Sequence, residues 1–174
     1  QPDLIERIEE VLLETGLEPS SLTLEITESV VVENVEAATR LLRRLRKLGV
    51  GLSIDDFGTG YSSLSSLHSF PISTLKIDGS FVSRMDGQNE NTEIVRTIMS
   101  LAGNLGMDVV AEGVETLEQV TKLRTFGCEK GQGYFFSRPI PAAEVESLLS
   151  ETEPVIAKPQ SYDNVESLMD RLVA

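Results

Sequence analysis

Apolar residues recur along this chain at two spacings, and the switch from one to the other marks helices and strands in turn. "PDLIERIEEVLLETG" places Leu4, Ile5, Ile8, Val11 and Leu12 on one helical stripe, with Gly16 as a stop. "SLTLEIT" (21–27) alternates, is rich in β-branched residues and reads as a strand. "NVEAATRLLRRLRKLG" predicts a helix from an Asn34 cap to Gly49, with Val35, Ala38, Leu41, Leu42, Leu45 and Leu48 on one face. Its basic residues crowd the C-terminal half, as the helix dipole prefers. "VGLSIDD" is the next strand, and a short helix is expected over 61–68. "STLKID" (73–78) is a third strand, followed by a longer helix with Ile94, Ile98, Leu101 and Leu105 at helical spacing. "MDVVAEG" (107–113) is a fourth, and the helix after it starts at Thr116, with Gln119 completing a capping box. "CEKGQGYFF" (128–136) gives a fifth short strand, and Pro141 starts a last helix over 141–149.

A helix followed by five rounds of strand and helix predicts an α/β fold, with a parallel sheet and right-handed crossovers. Residues 1–149 form this unit. Residues 151–161, with Pro154 and Pro159, read as a linker, and "YDNVESLMDRLV" as an amphipathic helix through Val165, Leu168, Met169 and Leu172, so 150–174 stands apart. The only repeat is the βα rhythm itself.

Composition narrows the classes. The 174 residues, 40% hydrophobic, suit one globular domain. No apolar run approaches the ~20 residues that span a bilayer, and no secretory leader is visible. A first residue of Gln1 reads as a piece of a longer chain. Cys128, the single cysteine, excludes an internal disulfide and a Cys-rich zinc site, and fits a cytoplasmic setting. With 15 basic and 28 acidic residues the net charge is −13, which argues against a nucleic-acid polymer as partner. A small phosphorylated ligand stays open if a lysine, a helix N-terminus or a metal ion supplies positive charge.

Charge placement carries the chemistry. Each expected strand ends in polar groups: Glu25 with Glu28, Asp55 with Asp56, Lys76 with Asp78, Glu112, and Gln132. In a parallel βα sheet or barrel all strand C-termini lie at one face. The acids would repel one another unless cations bind or protons stay on, and oxygen-ligated Mg²⁺ or Mn²⁺ is the natural occupant. Adjacent aspartates can serve two metals held ~3.5–4 Å apart, or act as one ligand and one base. Singly, each has a plainer reading: Asp55 and Asp56 as caps of the following loop, Lys76 as the ion-pair partner of Asp78. Five strands sharing the pattern is more than capping explains. "DFG" (56–58) has no companion kinase motif. His68 and Cys128 read as structural. Tyr134, Phe135 and Phe136 divide between core and site wall, where one could stack on a base.

"LEITES", "IDDFGTGYSSL", "LKIDGSFV", "VVAEGVET" and "GCEKGQGYFFSRP" together resemble, in order and spacing over residues 1–149, the EAL domain, the bacterial phosphodiesterase of cyclic di-GMP. The resemblance implies a TIM-like (β/α) barrel with one antiparallel strand, present here as a partial barrel of five parallel strands with flanking helices. It implies hydrolysis of cyclic di-GMP to linear pGpG with Mg²⁺ or Mn²⁺. By it Glu25 and Asp55 are metal ligands, and Asp56 and Glu112 are ligands of the second metal, with Asp56 also helping to deprotonate water. Lys76 holds the attacking water and the phosphate, and Gln132 orients water or a neighbouring ligand. Glu28 braces the glycine-rich loop after Asp56, whose Gly58 and Gly60 permit its turns.

The family's Glu-Ala-Leu segment does not occur in the sequence, nor does the metal-binding asparagine that precedes "LEITES". A barrel of this class runs ~250 residues with eight strands, so both are expected upstream of Gln1, and the 174 residues alone are expected to be inactive. Their two open sheet edges are expected either to pair with another chain or to belong to a trimmed remnant that keeps a native-like partial barrel. Regulatory domains upstream or a homodimer are the expected partners besides cyclic di-GMP, and the parent chain could be anchored to a membrane through those domains. The alternatives are a non-catalytic cyclic di-GMP-binding module and, more weakly, a metal-dependent aldolase or isomerase on the same barrel.

Overall fold

Five strands, all parallel, lie side by side in chain order in the computed structural model, which describes residues 3–28, 35–60, 67, 69–85 and 89–150. The expected Asn34 cap, His68, most of the 61–68 helix and the 151–174 linker and tail lie outside these residues; Leu67 is helical and buried. The elements are α1 (Leu4–Thr15), a 3₁₀ turn (Pro19–Ser21), β1 (Thr23–Thr27), α2 (Val35–Lys47), β2 (Gly51–Phe57) and β3 (Thr74–Ile77). After them come α3 (Gly79–Val82), α4 (Glu90–Leu105), β4 (Asp108–Ala111), α5 (Leu117–Thr125), β5 (Lys130–Gly131) and α6 (Ala142–Ser150).

Local signals set most boundaries. Gly16 takes the left-handed conformation, φ 66°, and donates its N–H to Leu12 O, closing α1. Pro19 opens the 3₁₀ turn, which delays β1 to Thr23 instead of the expected residue 21. The Thr116–Gln119 capping box forms with both of its hydrogen bonds. Two stripe residues do not reach the core: Val11 and Leu41 flank their stripes and are 53% and 38% exposed. The α4 face is centred on Thr92, Val95, Ile98 and Ala102, while Ile94, Leu101 and Leu105 are half-buried beside it. Asp78 does more than end a strand. It caps the unexpected short helix α3, accepting from Ser80 N at 2.9 Å. The fifth strand is two residues long instead of spanning 128–136, because the chain turns after Gln132 and Phe136 N bonds Gly133 O.

The pairing register assigns each residue a face, since residues abreast in a parallel sheet point the same way. Leu24 lies abreast of Leu52, Ile54 of Leu75, and Ile77 of Ala111. This face is apolar, and α2 and α4 pack on it to build the core around Leu52, Ile54, Leu75 and Ile77. The opposite face carries Glu25 abreast of Ser53, Thr27 of Asp55, Ser53 of Thr74, and Thr74 of Asp108. Among the described residues the sheet ends at β1 on one side and β5 on the other. No helix among them is long and apolar enough to cross a membrane.

Candidate active site

The polar face converges on Lys76. Its side chain, 6% exposed, rises from β3 between the acids of the neighbouring strands. Nζ lies 2.7 Å from Glu25 Oε2, 2.7 Å from Glu112 Oε1 and 3.0 Å from Asp55 Oδ1. The plainer reading, a local pair with Asp78, is replaced by a three-way contact across β1, β2 and the end of β4. Burial alone would push the ammonium down, but its contacts with Glu112, Glu25 and Asp55 outweigh that and raise its pKa.

Asp55 and Asp56 do not end β2; they sit inside it, at a break in register between Ile54 and Phe57. Asp56 is in the left-handed region, φ 55°, the only described non-glycine residue with positive φ. Regular alternation would send the two acids to opposite faces. The bulge absorbs one residue, returns Phe57 to the apolar face abreast of Ile77, and leaves both acids facing the cluster. Oxygens of Asp55, Asp56 and Glu112 lie within 4.8 Å of one another. The Asp56 carboxyl is raised from the ordinary value by burial, then by the neighbouring charges of Asp55 and Asp78, whose carboxylates lie beside it. Glu112 is raised as well, chiefly by burial, with Lys76 opposing.

Glu28, 3% exposed, follows β1 and accepts through Oε2 from Gly58 N at 3.0 Å and Gly60 N at 3.1 Å. The carboxylate therefore stands inside the turn that follows the bulge. Gly58 has φ 100°, and a Cβ on Gly60 would lie 2.8 Å from Glu28 Cδ, so both positions exclude a side chain. Gln132 is exposed just past β5, held by N–H donation to Ala111 O and by acceptance from Val114 N. Tyr134 is exposed, with the Arg138 guanidinium 4.7 Å from its ring centre, whereas Phe135 and Phe136 meet edge to face and pack on the core. Sequence reading missed the Asp56–Asp78 contact; the signal was Asp78's place two residues beyond Lys76. It also missed Ser53, buried on the polar face with no hydrogen-bond partner for its hydroxyl.

The donor set suits a hard divalent cation, being all carboxylate oxygen. Asp55 Oδ1 supplies the sharper test. It is buried and has no hydrogen-bond donor, since Lys76 Nζ approaches it without hydrogen-bond alignment. With the Lys76 ammonium beside it as an ion pair and no hydrogen bond made, that oxygen keeps its lone pairs for a divalent cation.

Residues 1–139 match the EAL domain family. The chain belongs to that family. Similar to it is the cyclic di-GMP phosphodiesterase NbdA of Pseudomonas aeruginosa, 46% identical over 146 residues, or 84% of this chain and 19% of the relative. The EAL domain here spans about a fifth of the length of the curated relatives it matches, 20%, 20% and 19% for three of them. The structure of the PaMucR phosphodiesterase with c-di-GMP is 43% identical at a TM-score of 0.80, covering 82% of this chain and 58% of that one. Klebsiella pneumoniae BlrP1, in its manganese/cy-diGMP complex, is 38% identical at a TM-score of 0.74, covering 80% of this chain and 36% of that one. The five parallel strands are thus part of a TIM-like barrel, as the resemblance implied.

Proposed function

We propose that this EAL domain hydrolyses cyclic di-GMP to linear pGpG with Mg²⁺ or Mn²⁺, residues 1–149 being the C-terminal portion of the barrel and 150–174 a linker and tail. The supporting observation is the bulge in β2, which turns two adjacent aspartates toward Glu112 and leaves a buried Asp55 oxygen without a donor. Asp55, Asp56, Glu112 and Glu25 would hold the metal. When bound, such an ion makes water a better nucleophile and withdraws charge from a phosphoryl oxygen.

The chain's own groups do the rest. Water attacks phosphorus, a P–O bond of the ring breaks, and the leaving oxygen takes a proton from solvent. Asp56, turned toward the cluster by the bulge, would accept the proton that water loses. Lys76 carries the positive charge that steadies the phosphate as negative charge builds on it. Gln132 offers an exposed amide to orient water or a phosphate oxygen. Glu28, through Gly58 and Gly60, fixes the turn that holds Asp55 and Asp56 in place.

Cyclic di-GMP is the proposed small-molecule partner, with regulatory domains or a second copy of the chain as protein partners in a cytoplasmic setting. The test is pGpG release by the full-length protein with Mn²⁺. Asp55→Ala or a chelator is expected to lower turnover by about a hundredfold or more. Lys76→Ala is expected to lower turnover more than substrate affinity. Near-normal turnover in chelator overturns the metal reading, and tight binding without release of pGpG assigns the chain to the non-catalytic class. Residues 1–174 alone are expected to turn over little, because the resemblance places two further ligands in segments that these residues do not contain.

A further inference from the structure

We infer that Lys76 sets the metal affinity of the cluster: its ammonium gathers Glu25, Asp55 and Glu112 and competes with a divalent cation for the same oxygens. The inference rests on the metal reading above and adds a role that precedes substrate. An ammonium has three donors, and three carboxylate oxygens surround Nζ, those of Glu25 and Glu112 at 2.7 Å and that of Asp55 at 3.0 Å as an ion pair without a hydrogen bond. Asp55 and Glu112 are at the same time two of the three residues whose oxygens converge closely enough for one ion. The other described lysine on this face, Lys130, lies level with Lys76 two strands away, but its ammonium is engaged with Asp108, at the start of β4, at 2.8 Å. Lys76 is therefore the cation that lets these acids assemble as the chain folds.

The two roles pull in opposite directions. Assembly by Lys76 spares a metal ion the cost of gathering its ligands. A fixed positive charge beside the ion also repels it, and each oxygen kept by the ammonium is withheld from the metal. Because the lysine is buried, solvent screens that repulsion poorly. Losing the lysine should hence loosen the fold without metal and tighten metal binding. A purely structural lysine would do the first and not the second.

The experiment uses the full-length protein without substrate. Free Mn²⁺ is followed by electron paramagnetic resonance during titration, and unfolding is measured with and without Mn²⁺. Lys76→Met, which keeps the length and drops the charge, is expected to bind Mn²⁺ about ten- to a hundredfold tighter. It is also expected to melt lower without Mn²⁺ and to gain more from saturating Mn²⁺ than the unsubstituted protein does. Lys76→Arg, which keeps the charge, is expected to show no such tightening. Unchanged or weaker Mn²⁺ binding in Lys76→Met overturns the inference while leaving the metal reading intact. No Mn²⁺ binding by any of the proteins overturns both. Nitrogen NMR of Lys76 Nζ in the unsubstituted protein needs no variant to fold: its resonance is expected to shift as Mg²⁺ saturates, and a resonance that stays put overturns the competition.

Discussion

Removing the Glu28 carboxylate tests how the loop after β2 is held. Glu28 is 3% exposed, and one oxygen accepts two backbone N–H groups, from Gly58 at 3.0 Å and Gly60 at 3.1 Å. A hydrogen bond to a charged group contributes ~1.5–3 kcal/mol. Both bonds share one acceptor and the loop is half open to water, so Glu28→Ala is expected to cost ~2–4 kcal/mol instead of the full sum. For a domain of this size that lowers the melting temperature by about 5–12 °C. Gly60→Ala supplies the control. Its Cβ would come within 2.8 Å of Glu28 Cδ and 3.0 Å of Oε1, so the carboxylate must move, at a cost of ~1–2 kcal/mol. With Ala at position 28 that obstacle is gone, and the same glycine change should cost about 1 kcal/mol less. Unfolding curves of the four proteins give the coupling. Strictly additive costs, or Glu28→Ala within about 0.5 kcal/mol of the parent, would refute the claim that this carboxylate organises the loop.

Asp56→Asn is expected to trade activity for stability. Burial and the charges of Asp55 and Asp78 raise the Asp56 carboxyl, so its ionisation weakens the fold progressively as pH climbs above the ordinary value of 3.8. In metal-free buffer at neutral pH the neutral amide, which also tolerates the left-handed backbone, should melt higher than the parent. Lys76 gives the opposite profile. Its contribution is complete below the ordinary lysine value of 10.5 and is lost as pH rises through the higher folded value, so melting temperature should fall more steeply at alkaline pH in the parent than in Lys76→Met. Thr116→Ala breaks the capping box of α5 and is expected to cost ~1 kcal/mol, seen as a fall of about 2–4 °C with metal affinity unchanged.

Most of the architecture was legible because it rests on local patterns. Period and caps are written in adjacent residues, so α1 and α5 fall close to where the Gly16 stop and the Thr116 box put them, and α4 where its apolar spacing did. Parallel pairing followed from the strand–helix rhythm. Gathering of the acids at one end followed from parallelism alone, and Glu25, Asp55, Lys76 and Glu112 do meet there. What escaped depended on spatial neighbours. Lys76 chose partners on three other segments over nearby Asp78, a preference fixed by register and burial that no spacing along the chain encodes. The shortness of β5 came from the turn after Gln132, and the helix capped by Asp78 is too brief to leave a periodic signal.

The bulge in β2 has a meaning for how such a site can be altered. A side chain can be exchanged one position at a time, but the shared direction of Asp55 and Asp56 belongs to the backbone and survives any exchange that tolerates the left-handed turn. Deleting one residue there would heal the ladder and leave a single acid on the polar face. Inserting one would turn Phe57 out of the core, where it is now 7% exposed. Substitution can thus retune the chemistry of the pair, and only a change in chain length can abolish the pair as a geometric unit.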